Sequence, residues 1–258
     1  MPVIGSIGQQ GDVRLDKIPS LNLWYNASDT TTVVSGVTKN NFDVVPAVNG
    51  SSIGSWLDVS GSGHPSNVNG GTGKQPSYAL PIQGPNGAVQ FTASSSNNLD
   101  INPTAWSQSL SGLTVYIVAR PISLPATLFP LVVTDTEFGI WWNGTNWTVG
   151  HSVGNYGTVS LTDDTSKFHI YGLVYDGTQS TNAGKMDFIY DLYEKTLTFT
   201  GTIGTNTGTP SYWFFGGDNR GSAVNATFTG KFMDGYIGEI MIWTRDRKST
   251  RLNSSHSQ

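Results

Sequence analysis

FMDGYIGEIMIWTR, residues 232–245, is the stretch that decides the fold. Asp234-Gly235 is a turn pair, and the run after it has the β-branched and aromatic content of a strand. Alternation places Tyr236, Gly238, Ile240 and Ile242 on one face, and Ile237, Glu239, Met241 and Trp243 on the other. A strand apolar on both faces needs cover on both sides, so it belongs inside a layered β structure. Its partners must come from the chain before it.

Working outward, LTVYIVAR at 113–120, ended by Pro121, is the most strand-like run of the first half, and Leu21, Leu23 and Tyr25 alternate with polar residues in an opening strand. The stretch between them is rich in Ser, Gly and Asn and carries the turn pairs Asn49-Gly50, Asn69-Gly70 and Asn86-Gly87. Residues 128–133, 138–142, 147–151, 168–175, 187–193, 196–200 and 212–215 read as further short strands, with Asn143-Gly144 as a hairpin turn. Helical periodicity is missing before Thr244. Many short strands at regular spacing predict an all-β antiparallel sandwich or jelly roll, in one domain over 21–245 behind a polar arm at 1–20.

Composition narrows the surroundings. Charged residues make up 12% of the chain, against about a quarter in ordinary globular proteins. The surface is therefore built from Ser, Thr, Asn and Gly, which suits a virion, exported or extracellular protein. A net charge of −4 without a basic run gives no reason to expect nucleic acid as a partner. No apolar stretch approaches the ~18 residues of a membrane span. There are 0 cysteines, hence no disulfides and no thiolate metal site. The first residues lack the basic-then-apolar pattern of a signal peptide.

Taken in order, several pieces resemble the concanavalin A-like lectin/glucanase superfamily, in particular its laminin-G-like modules. They are LNLWYNASD at 21–29, WLDVSGSG at 56–63, Asn86-Gly87 with Val89 and Phe91, LTVYIVAR at 113–120, HIYGLVYDG at 169–177 and GYIGEI at 235–240. The resemblance covers about residues 20–245 and implies a concanavalin A-like jelly roll. It does not imply one ligand, because the superfamily hosts lectins, hydrolases, lyases and spacers. It also implies a helix after the closing strand, which this chain lacks. Residues 246–258 resemble a translated sequencing adapter instead, so the outer face of the closing strand is expected to lie bare, or to be covered by residues 1–20 through Val3 and Ile4.

Chemistry is sparse. Gly50-Ser51-Ser52-Ile53-Gly54 has the spacing of a nucleophile elbow but no helix pattern after it, and Gly70-Gly71-Thr72-Gly73-Lys74 lacks the first glycine and the Ser/Thr of a phosphate loop. Glycoside hydrolysis needs two facing carboxylates. The sole close pair is Asp135 with Glu137, beside a turn, which reads as solvated rim, and the other glutamates are Glu194 and Glu239. His64, His151, His169 and His256 show no metal-ligand spacing. Calcium, which several relatives use, is the one cofactor to consider, with Asp218 and Asn219, or Asp163 and Asp164, as oxygen ligands.

The aromatic cluster is the best ligand signal. Phe138, Ile140 and Trp142 share a face, Trp141 and Asn143 the other, and Trp147 follows the turn. Sugar C–H faces stack on indole while amides fix hydroxyls, so Trp141, Asn143 and Trp147 are the candidate ligand-binding residues. Tryptophan is also a normal core residue, and much of the cluster is expected to be packing. The expected function is a non-enzymatic binding or structural module of a phage or other viral particle, contacting glycans or neighbouring virion proteins, alone or as an oligomer. A carbohydrate-active enzyme and a bacterial surface adhesin module, extracellular or at the cell surface, are the alternatives.

Overall fold

A computed structural model describes residues 21–28, 33–35, 48–60, 62–63, 66–67, 74–83, 86–101, 110–136, 138–151, 154–208, 212–217 and 230–244. The arm at 1–20, the tail at 246–258, Glu137, Asp218, Asn219, His64 and His256 lie outside the described residues, as does the side chain of His151.

The strands of the first half are β1 (Leu21–Asn26), β2 (Val33–Ser35), β3 (Ile53–Trp56), β4 (Ser66–Asn67), β5 (Ser77–Gln83), β6 (Asn86–Phe91), β7 (Leu99–Ile101) and β8 (Gly112–Pro121). Then come β9 (Phe129–Thr134), β10 (Phe138–Trp142), β11 (Trp147–His151), β12 (Tyr156–Val159) and β13 (His169–Asp176). The last are β14 (Met186–Tyr190), β15 (Tyr193–Lys195), β16 (Thr198–Thr200), β17 (Trp213–Phe215) and β18 (Gly235–Trp243). They form two antiparallel sheets. Sheet I has 8 strands in the order β15-β14-β13-β8-β18-β6-β5, with β1 also on β18; sheet II has 10, in the order β16-β12-β11-β10-β9-β17-β7-β4-β3-β2. The antiparallel β-sandwich predicted from the sequence is the fold of the chain.

The closing strand β18 is the hub of sheet I. One edge pairs with β8 throughout, while the other pairs with β6 through Gly235–Ile237 and with β1 from Glu239 to Trp243. Strict alternation along it does not hold. Ile237 pairs with Ala119 and Glu239 with Val118, leaving Gly238 as the extra residue of a bulge. The bulge shifts the phase of the strand. Ile237 joins Ile240 and Ile242 in the core, and Tyr236 goes outward, where the Arg120 guanidinium lies 4.5 Å from its ring. The outer face is not bare either. Met241 and Trp243 are 7% and 5% exposed, clustered with Leu21, Trp24 and Tyr116, and Trp24 Nε1 donates to Glu239 Oε1 at 2.7 Å.

Aromatic rings from both sheets interdigitate in the core. Tyr25 of sheet I stacks on Trp56 of sheet II at 5.2 Å, Phe138 of sheet II meets Tyr175 of sheet I at 5.1 Å, and Trp147 of sheet II meets Tyr171 of sheet I at 4.6 Å. Each is worth more than its buried area alone, because offset and edge-on rings attract.

Candidate functional site

The β10–β11 hairpin builds the site. Its tip is a four-residue loop, Asn143 to Asn146, held from within. The Asn143 side-chain oxygen accepts from the amides of Thr145 at 3.0 Å and Asn146 at 2.8 Å, and the Asn143 amide donates to the Asn146 carbonyl at 3.1 Å. Gly144 sits in the tip at φ +97°, where a side chain would also collide with the Ala126 carbonyl 2.5 Å away.

This loop sets the register: Trp142 stands opposite Trp147, and Trp141 opposite Thr148. Opposed residues share a face. Trp142 and Trp147 therefore both point into the core, where Trp142 Nε1 donates to the Pro125 carbonyl at 2.7 Å and Trp147 Nε1 to Asp163 Oδ2 at 2.9 Å. Trp147 is 0% exposed and has no face to offer a sugar. Of the expected ligand-binding set, the structure brings Trp141 and Asn143 together and takes Trp147 away.

Trp141 and Asn143 line a cleft of ≈ 430 Å³ on the outer face of sheet II. Its deepest residues are Trp141, 3% exposed, and Thr148, 1% exposed. Leu128, Asn143, Asn146 and Tyr156, all half-buried, and the exposed Thr145 complete the lining. The Trp141 and Tyr156 rings meet at 73° with centroids 6.4 Å apart, which makes an aromatic corner. Gly150 makes room for it: any side chain there would lie 2.6 Å from Cα and Cβ of Tyr156. Volume, aromatic lining and a few amides and hydroxyls are what a small-molecule site needs. Tyr156 and Thr148 were missed in the sequence. Thr148 was available from hairpin parity; Tyr156 depends on the β11–β12 register, which places it opposite Gly150.

Of the remaining candidates, Asp163, Asp164 and His169 are structural. Asp163, offered above as a calcium ligand, has a fully covered side chain that accepts from Trp147 Nε1, from the Tyr171 hydroxyl at 2.6 Å and from the Tyr190 hydroxyl at 2.7 Å. Its lone pairs are taken by protein donors. Burial first, and then Asp163, push both phenols well above the usual tyrosine range, so they remain donors. Asp164 caps its own turn through the Ser166 amide and hydroxyl and pairs with Lys167 at 3.0 Å. The Ser166 hydroxyl, then Lys167, hold its carboxyl well below the usual range.

His169 is buried, stacked on Tyr190 at 4.8 Å. Its Nδ1 contacts Asp191 Oδ2 at 2.7 Å and its Nε2 the Asp164 carbonyl at 3.0 Å. Among the described residues, no three His, Cys, Asp or Glu side chains are placed to hold a metal ion. The Gly50–Gly54 segment runs into strand β3 rather than a helix, so it is no nucleophile elbow.

No family model matches the chain, and no curated protein matches it. Solved structures do. Domain 4 of AbnA, a GH43 extracellular arabinanase from Geobacillus stearothermophilus solved with arabinotriose, superposes with a TM-score of 0.53 at 13% identity, over 91% of this chain and 97% of that domain. The ligand-binding domain of botulinum neurotoxin serotype D, solved with N-acetylneuraminic acid, gives 0.54 at 11% identity, over 93% of this chain and 50% of that one. Trypanosoma rangeli sialidase with sialic acid gives 0.51 at 11% identity, over 92% of this chain and only 32% of the sialidase. At these identities the likeness is one of fold: the chain is an antiparallel β-sandwich, as those domains are.

Proposed function

We propose that this protein is a non-enzymatic glycan-binding module and that the Trp141–Tyr156 cleft is its binding site. The cleft carries the proposal: an aromatic corner flanked by amides and hydroxyls matches a sugar's alternation of apolar C–H faces and hydroxyl edges. That three structures of the same fold were solved with sugars supports the reading. So does the fate of four carboxylates among the described residues. Asp58 accepts from the Trp24 and Ser60 amides, Asp163 from three donors, Asp176 from Thr178 and Gln179, and Glu239 from Trp24. Each is committed to holding the fold rather than to acid–base work. The setting we propose is a phage or other viral particle, in keeping with a surface built from uncharged polar residues.

A glycan array followed by titration calorimetry tests the reading. Tyr156→Ala should lower the affinity for any hit at least tenfold without changing the far-UV spectrum. Release of reducing ends from a bound glycan, abolished by Glu137→Gln, would replace the binding module with a carbohydrate-active enzyme.

A further inference from the structure

We infer that the cleft selects uncharged sugars and excludes sialylated ones; the inference rests on the cleft being the glycan site. Two of the solved structures similar in fold hold sialic acid, whose carboxylate must be met by a cation or by several N–H donors once it leaves water. This cleft supplies no cation and no free cluster of backbone N–H groups, only the neutral side-chain amides of Asn143 and Asn146. None of its lining residues is charged. The natural anion nest in such a hairpin tip would be the successive amides of Thr145 and Asn146, and both already donate to the Asn143 side-chain oxygen. The Thr148 hydroxyl donates to the Asn146 carbonyl at 3.4 Å.

With its oxygen spent on the loop, Asn143 keeps only its NH₂ group for a ligand. The side-chain amide of Asn146 and the hydroxyl of Thr145 add neutral donors and acceptors at the rim. Four cations among the described residues are engaged elsewhere. Arg120 lies over Tyr236 and Phe168 on the outer face of the other sheet. Lys167 pairs with Asp164, Lys185 donates to the Ile203 carbonyl, and Lys195 lies over Tyr190 and Tyr193. The net charge of −4 adds repulsion at low salt.

An array of matched glycans with and without a terminal N-acetylneuraminic acid tests this, with the best neutral hit and its sialylated counterpart then titrated. The sialylated member should bind at least tenfold more weakly, and Thr145→Lys, which adds a cation at the exposed rim, should narrow the gap. Asn143→Asp keeps the oxygen that holds the loop but replaces the ligand-facing donor with an acceptor. It should weaken the neutral hit by tenfold or more. A sialylated member that binds less than tenfold more weakly overturns the inference while leaving glycan binding intact. If neither member binds, glycan recognition itself falls. If the neutral hit binds Tyr156→Ala and Asn143→Asp as well as the parent chain, the site lies elsewhere and the inference falls with it.

Discussion

Replacing Asp163 by Ala and by Asn should give two very different proteins. The carboxylate joins the sheets: Oδ2 takes Trp147 Nε1 of sheet II and the Tyr171 hydroxyl of sheet I, and Oδ1 takes the Tyr190 hydroxyl. Asparagine can keep its oxygen toward Trp147 and Tyr171 and turn its NH₂ toward Tyr190, whose hydroxyl rotates to accept. What is lost is charge assistance, ~1–2 kcal/mol. Alanine instead leaves one indole N–H, which can only donate, the buried Tyr171 phenol and the half-buried Tyr190 phenol without their acceptor. At ~1–3 kcal/mol per orphaned group, the cost is roughly 3–6 kcal/mol, a large share of a net stability of ~5–15 kcal/mol. Urea unfolding followed by tryptophan fluorescence and far-UV circular dichroism would measure both variants. The reasoning fails if Asp163→Ala costs less than about 1 kcal/mol, or if the two variants agree within that margin.

Glu239→Gln tests pH linkage. Burial, only partly offset by the Trp24 N–H, raises the Glu239 carboxyl above its ordinary 4.5. The folded state thus keeps a proton that the unfolded state loses, and stability falls as pH rises from about 4.5 through the folded-state value. Gln retains the acceptor, so it should match the parent near pH 4 and melt higher than it at pH 7; a variant less stable at pH 7 than the parent would refute this. Deleting Gly238 removes the bulge and forces either Ile237 outward or the rest of the strand out of phase, a loss of at least about 3 kcal/mol visible as a lower melting temperature or insoluble protein. Gly150→Ala drives a methyl group against Tyr156, so glycan affinity should drop tenfold or more for ~1–3 kcal/mol of stability; unchanged affinity would detach Tyr156 from the site.

Asp234-Gly235, read as a turn pair, leads straight into the closing strand, with Gly235 paired to Phe91 and Pro121. The role of β18 was legible all the same, because a two-faced apolar run has few other readings. Its bulge was not, since Gly238 fits strict alternation equally well and only the pairing with β8 shows it to be extra. Trp147 is a different case. Whether the Asn143-Gly144 turn closes as a two-residue or a four-residue loop, Trp147 falls opposite Ile140 or Trp142, both on the face read as apolar. Parity carried across the turn was enough to place it inside. The β14–β15 hairpin was hidden for a chemical reason: Asp191 and Leu192 take φ of 51° and 70°, a conformation that Asn-Gly would advertise and Leu does not. Asp191 is held there through the Ile170 amide and His169, contacts that sequence spacing does not reveal. The cleft needed three strands in register before Trp141, Thr148 and Tyr156 could be seen as neighbours.

The pairing of β1 with β18 also has a consequence in time. The Thr244 amide donates to the Asn22 side chain across a separation of 222 residues, and Leu21 pairs with Trp243. At ~5–20 residues per second of synthesis, the opening strand leaves the ribosome roughly 10–40 s before the strand that receives it exists. Throughout that interval the hub of sheet I is missing, so β1 cannot reach its place and β8 lacks one neighbour. A nascent chain halted before β18 leaves β1, β6 and β8 each without the partner that β18 supplies, and cannot close its sandwich. Completion of the fold thus waits on the synthesis of β18 rather than accreting gradually along the chain.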